Sequence, residues 1–161
     1  MSAGELNLPH VMALTSFLRP AASLTSPTEH DVARSSALTL KYLFTLVPIV
    51  AGADKFTHFL TQWDAYLNPV VLRFAPLSAA TFMQVAGVIE IVAGVLVFLR
   101  PRLGGFVVMG WLLAIALQLL VWGRFLDVAV RDIVIALSGP LMLARLAPFT
   151  LAADRGRDPR A

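Results

Sequence analysis

LSAATFMQVAGVIEIVAGVLVFL, residues 77–99, is almost unbroken apolar sequence with a single carboxylate, Glu90, inside it. A helix needs about 20 mostly apolar residues to cross about 30 Å of hydrocarbon, and this segment meets that length. Working outward, Leu38–Ala53 lies before it, and Leu103–Trp122 and Val128–Ala147 follow, each apolar and each bounded by short charged stretches. Four such segments predict an all-α integral membrane four-helix bundle. Glu90 stands 13 residues into its segment, about 20 Å along a helix, well inside the hydrocarbon.

Composition agrees. Of 161 residues, 58% are hydrophobic and 14% charged, against about 25% charged in soluble domains. One domain accounts for the length. The net charge of +3 does not mark a nucleic-acid binder, because the basic residues sit in tails and short loops and not in a run with interleaved aromatics. Cysteine is absent, which excludes disulfides, thiol redox chemistry, iron–sulfur ligation and Cys-based zinc sites. No metal site, P-loop, HExxH motif or Ser/His/Asp arrangement is found, and catalytic residues cannot be assigned. His10 and His30 lie outside the crossings, so no histidine pair can clamp a transmembrane haem. His58, near a helix end, reads as a solvated interfacial residue ahead of a single ligand.

Met1–Pro9 carries Glu5 and no Lys or Arg, and Val11–Leu18 is short and broken by Thr15 and Ser16. A cytoplasmic tail with a surface-lying segment is expected there, not a cleaved leader. Ser26-Pro27-Thr28-Glu29 has the spacing of a helix start, with Ser26 capping and Pro27 at the first helical position. Residues 1–35 are read as the tail, 36–147 as the transmembrane domain, and 148–161 as a polar cytoplasmic tail. Between the first two crossings, Phe56, Phe59, Trp63 and Tyr66 recur at spacings of three and four. They predict an extracytoplasmic interfacial helix with one aromatic anchoring face, a turn at Asn68-Pro69 and a second helical piece to Pro76. Gly139-Pro140 predicts a kink in the fourth crossing. Nine Lys and Arg fall on one side (Arg19, Arg34, Lys41, Arg100, Arg102, Arg145, Arg155, Arg157, Arg160) and four on the other (Lys55, Arg73, Arg124, Arg131), which places both termini in the cytoplasm.

Helices in lipid associate where small residues let backbones approach. Met83, Gly87, Glu90 and Gly94 share one face of the second crossing. Gly110, Ala114 and Gln118 share one of the third, and Asp132, Ala136 and Gly139 one of the fourth. Each stripe carries a polar side chain, so all three are expected to face the interior. Glu90 has two readings. As a structural group it is neutral and donates toward the Phe44 carbonyl, which Pro48 frees. As a functional group it serves proton or quinone chemistry. Asp54 and Lys55 close the first crossing and Arg131 and Asp132 open the fourth. Cross-pairs Lys55–Asp132 and Asp54–Arg131 would neutralise all four and fix register. The alternative is a polar pocket for an anionic or quinone headgroup, with Gln118 as donor.

Gly52-Ala53-Asp54-Lys55-Phe56, Trp63-Asp64-Ala65-Tyr66-Leu67-Asn68-Pro69, Gly87-Val88-Ile89-Glu90-Ile91, Arg100-Pro101-Arg102 and Asp127-Val128-Ala129-Val130-Arg131-Asp132 stand in that order. Over residues 38–147 the chain resembles the DoxX-like bacterial membrane proteins. The resemblance implies a compact four-helix bundle of the bacterial inner membrane beside redox machinery, with Lys55, Glu90, Arg131 and Asp132 at the family's polar positions. The family takes its name from a small subunit of a thiosulfate–quinone oxidoreductase. Without cysteine, a sulfur relay through this chain's own thiols is ruled out. The function expected is a non-catalytic accessory subunit of a respiratory or photosynthetic electron-transfer complex, with no intrinsic cofactor. Its partners would be the lipid bilayer and other membrane subunits of a redox complex, or further copies of itself. The alternative is a quinone-binding oxidoreductase component using Glu90 and the Lys55/Arg131/Asp132 cluster, with a quinone or lipid as ligand. A transporter ranks last, because four helices leave little room for a water pathway and no inverted repeat is present.

Overall fold

The structure, a computed structural model, describes residues 28–74 and 77–151. Among them are six α-helices: α1 (Glu29–Thr57), α2 (Pro69–Phe74), α3 (Ala79–Leu99), α4 (Pro101–Trp122), α5 (Leu126–Ser138) and α6 (Pro140–Thr150). A 3-10 turn occupies Trp63–Tyr66, and the described residues contain no strand. Four helical spans are long and apolar enough to cross a membrane: α1, α3, α4, and α5 with α6 taken together. Length and composition thus make this a multi-pass membrane protein.

Local chemistry sets the ends. Thr28 caps α1: its hydroxyl accepts from the Asp31 amide, and the Asp31 carboxylate accepts from the Thr28 amide, each at 3.3 Å. Ser26 and Pro27, expected to start this helix, lie outside the described residues, as does the surface segment expected before them. Thr28-Glu29-His30-Asp31 repeats the same capping spacing two residues on. Ser78 caps α3 by accepting from the Thr81 amide at 3.1 Å. Arg100 alone separates α3 from α4, with Pro101 at the first helical position. Gly123 ends α4 at φ +72°, which costs glycine no steric penalty. The fourth span breaks at Gly139, because Pro140 has no N–H for the Ala136 carbonyl. The helix then runs through Pro148 to Thr150, beyond the expected boundary at 147.

The spans alternate in direction. α1 packs on α3, α3 on α4, and α4 on both α5 and α6, while α6 closes back on α1. Glycines set the closest crossings. A Cβ on Gly52 would stand 2.5 Å from the Gly87 carbonyl oxygen, and one on Gly87 would stand 2.5 Å from that of Gly52. Seven residues along each helix, a Cβ on Gly94 would stand 2.7 Å from the Thr45 carbonyl oxygen. Gly104 lies against the Val97 backbone at the α3–α4 turn, and Gly105 faces the Pro140 carbonyl. The Phe44 ring occupies the space over Gly139. Phe44, Ala93, Val97, Val108 and Leu143 form the core at this level.

The buried stripe of α3 contains Met83, Gly87, Glu90 and Gly94, and that of the fourth span contains Asp132, Ala136 and Gly139. On α4 the expectation is corrected. Gly110 and Ala114 are exposed, and a Cβ on Gly110 meets nothing within 4 Å. The interior stripe is instead Gly104, Gly105, Val108, Ala116 and Leu119. The Gly104-Gly105 pair must meet both α3 and α6, and that requirement fixes the rotation of α4.

Candidate functional site

The end of the bundle formed by the C-terminus of α1, the N-terminus of α3 and the α4–α5 turn carries a polar centre. Lys55 and Glu90 form a buried ion pair, Nζ to Oε2 at 2.6 Å, with both side chains less than one-tenth exposed. The other Glu90 oxygen, Oε1, accepts from the Trp111 indole N–H at 3.1 Å. The Lys55 ammonium sits 3.9 Å from the centroid of the Trp63 ring, a cation–π contact. Both carboxylate oxygens therefore accept from donors, which suits an ionised carboxylate beside an ammonium.

The antiparallel geometry explains the pairing. A side chain on a helix leans toward that helix's N-terminus. Lys55 near the end of α1 leans into the membrane, and Glu90 in the middle of α3 leans outward. The Gly52–Gly87 crossing brings the two backbones close enough for the pair to meet. The expected cross-pairs Lys55–Asp132 and Asp54–Arg131 do not form. Nor does Glu90 donate toward the Phe44 carbonyl, since it accepts from Lys55 and Trp111.

Asp54 organises the loop above this pair. Its carboxylate accepts from the Phe59 amide at 2.9 Å, the Leu60 amide at 3.1 Å, the Thr57 hydroxyl at 3.0 Å and the Trp63 indole at 2.8 Å. These bonds overturn the expected continuous aromatic helix. His58 adopts φ 55°, α1 stops at Thr57, and the next amides turn onto Asp54 instead of continuing the helical ladder. The four aromatics consequently do not share a face. Phe59 is 88% exposed, whereas Trp63 and Tyr66 are half-buried and turn toward the bundle. The Asn68-Pro69 turn is present, and the second helical piece is α2, which ends at Phe74; its expected end at Pro76 lies outside the described residues.

Gln118 straps the same loop to α4. Its amide oxygen accepts from the Asn68 N–H at 3.0 Å, and its amide nitrogen donates to the Tyr66 carbonyl at 3.0 Å. Asn68 is 2% exposed, and its side-chain oxygen accepts from Val70 at the start of α2. Gln118 thus binds backbone and does not point to the ion pair. Tyr66 also stacks on Phe125, with ring centroids 4.6 Å apart. Phe125 sits at φ 54°, a left-handed conformation costly for a bulky residue, and packing holds it there.

Asp132 is buried, and Arg131, beside it in sequence, bonds its Oδ1 at 3.3 Å. The Arg131 side chain is 63% exposed. Among the candidate residues, the structure joins Lys55 to Glu90 and Arg131 to Asp132, and gives Asp54 and Gln118 to the loop. Trp111 is the member that sequence reasoning missed. The described residues contain no group of three or more His, Asp or Glu placed to hold a metal ion. No family model matches the chain, and no curated protein or solved structure is significantly similar to it.

Proposed function

We propose that this protein is a non-catalytic accessory subunit that stabilises a larger membrane assembly. The observation that carries this reading is the internal use of the polar centre. Lys55, Glu90, Trp111, Asp54, Trp63, Gln118 and Asn68 all direct their hydrogen bonds at one another or at nearby backbone. Groups spent in this way fix one arrangement of the helices and of the loop above them. The outward face supplies the other half of the argument. Gly110 and Ala114 on α4 are small, four residues apart and exposed, so a helix of another subunit or of a second copy can approach closely there. The electron-transfer setting, DoxX-like membership and a bacterial inner membrane come from the resemblance. The count of basic residues supports cytoplasmic termini and an outer position for the Trp63–Tyr66 loop.

A second reading, a quinone-binding oxidoreductase component, draws on Asp132. It is a buried acid whose guanidinium partner is mostly in the open. Gentle isolation of the protein from its own membrane, followed by mass spectrometry, separates the readings. Stoichiometric redox or pigment-binding subunits are expected to travel with the chain. A chain recovered alone with a bound quinone would overturn the accessory role in favour of the second reading.

A further inference from the structure

We propose that the end of the bundle opposite the polar centre holds an anionic phospholipid, with its phosphate on Arg102, Arg145 and Arg100 and an acyl chain along α4 and α6. Two adjoining grooves, of about 370 and 250 Å³, share Arg102, Phe106 and Pro148 and so form one continuous depression. Arg100 and Arg102 border it from the α3–α4 turn, and Arg145 borders it from α6. All three arginines are exposed, and among the described residues none of them is in an ion pair.

Charge and position fit one occupant. The described acids at this end, Glu29 and Asp31, stand on the first turn of α1. From the Gly52–Gly87 register, Leu99 falls level with Leu40, so that first turn projects about 15 Å past the groove. Asp31 is also occupied by Thr28. The N-terminus of α4 at Pro101 adds the positive end of its helix dipole. Guanidinium groups bind phosphate oxygens in bidentate fashion. The apolar wall matches a chain, not a free ion. Phe106 is 42% and Phe149 77% exposed beside the arginines, on surface continuous with the apolar flank of the bundle. Basic pockets at the membrane boundary between transmembrane helices suit anionic headgroups in this way.

The test uses the full-length protein, purified in mild detergent and offered equal amounts of phosphatidylglycerol and phosphatidylcholine, with bound lipid read by native mass spectrometry. Each arginine near an anionic headgroup contributes a factor of about 5, so the wild type is expected to retain phosphatidylglycerol at least about 10-fold over phosphatidylcholine. The Arg102→Gln/Arg145→Gln variant is expected to lose that preference, and Arg102→Lys/Arg145→Lys to keep most of it, with helicity by circular dichroism matching the wild type. Glycerol 3-phosphate, which has the charge without the chains, is expected not to displace the lipid at equal concentration. Equal retention of the two lipids by the wild type would overturn the proposal, whatever the variants do. An undiminished preference in the folded double-glutamine variant would also overturn it, and displacement by glycerol 3-phosphate would reassign the site to a free phosphoester.

Discussion

Replacing Lys55 by methionine is expected to destabilise the bundle by about 3–5 kcal/mol, the cost of leaving a buried charge without its partner. Methionine keeps the length of the aliphatic stem but removes the ammonium that stands 2.6 Å from Glu90 and 3.9 Å from the Trp63 ring centroid. Glu90 then retains the Trp111 N–H as its remaining donor from the centre. Adding Glu90→Gln should recover more than half of the loss. The second change removes the orphaned charge, and glutamine still offers Trp111 an acceptor. Reversible unfolding of the single and double variants in mixed micelles measures the coupling. Contacting members of one network show coupling of about 0.5–3 kcal/mol, so strict additivity would mean that the two side chains do not act as a pair.

The second large effect concerns backbone approach. Gly87→Leu is expected to force α1 away from α3, because even a Cβ at this position meets the Gly52 carbonyl oxygen at 2.5 Å. Overpacking of this kind costs about 1–3 kcal/mol and sometimes more. Here a rigid backbone is the obstacle, so the upper end is expected. The same crossing positions Lys55 against Glu90, and the variant should therefore weaken the ion pair as well. Gly110→Leu is the matched control on α4. A Cβ there meets nothing within 4 Å and the position is exposed, so the isolated protein should unfold at nearly the wild-type midpoint. Equal effects at the two positions would contradict the assignment of interior and exterior faces.

The number of crossings, the buried stripe of α3 and the break at Gly139 could be read in the sequence because each has a strong local cause. Twenty apolar residues name a span, a carboxylate in hydrocarbon must face inward, and proline removes a specific hydrogen bond. The face of α4 could not be read in the same way. Lipid-facing positions are as apolar as buried ones, so Gly110 and Ala114 looked equivalent to Gly104 and Gly105. Only the packing partners, Val97 and Pro140, distinguish them.

The ion pair was misassigned for a different reason. Pairing across the first and last spans assumed that neighbours at the same membrane depth bond to each other. The lean of side chains toward their helix N-termini instead favours residues at different depths on antiparallel neighbours. Trp111 carried a usable signal. An indole N–H in hydrocarbon needs an acceptor, and Glu90 is the one acid inside the second or third apolar segment. The aromatic spacing from Phe56 to Tyr66 suggests a helix, but Asp54, two residues upstream of that pattern, competes for the amides the helix would have used.

On the proposed accessory role in an electron-transfer assembly, the most direct test of a structural polar centre is the quinone-linked electron-transfer rate of native membranes carrying Lys55→Met/Glu90→Gln. The rate should be normalised to the amount of the variant assembled with its partners. A normal rate per assembled complex is the expected result, since the variant keeps the fold while lacking both charges. A lost rate with assembly intact would contradict a purely structural centre and assign the chemistry to Glu90 and Lys55.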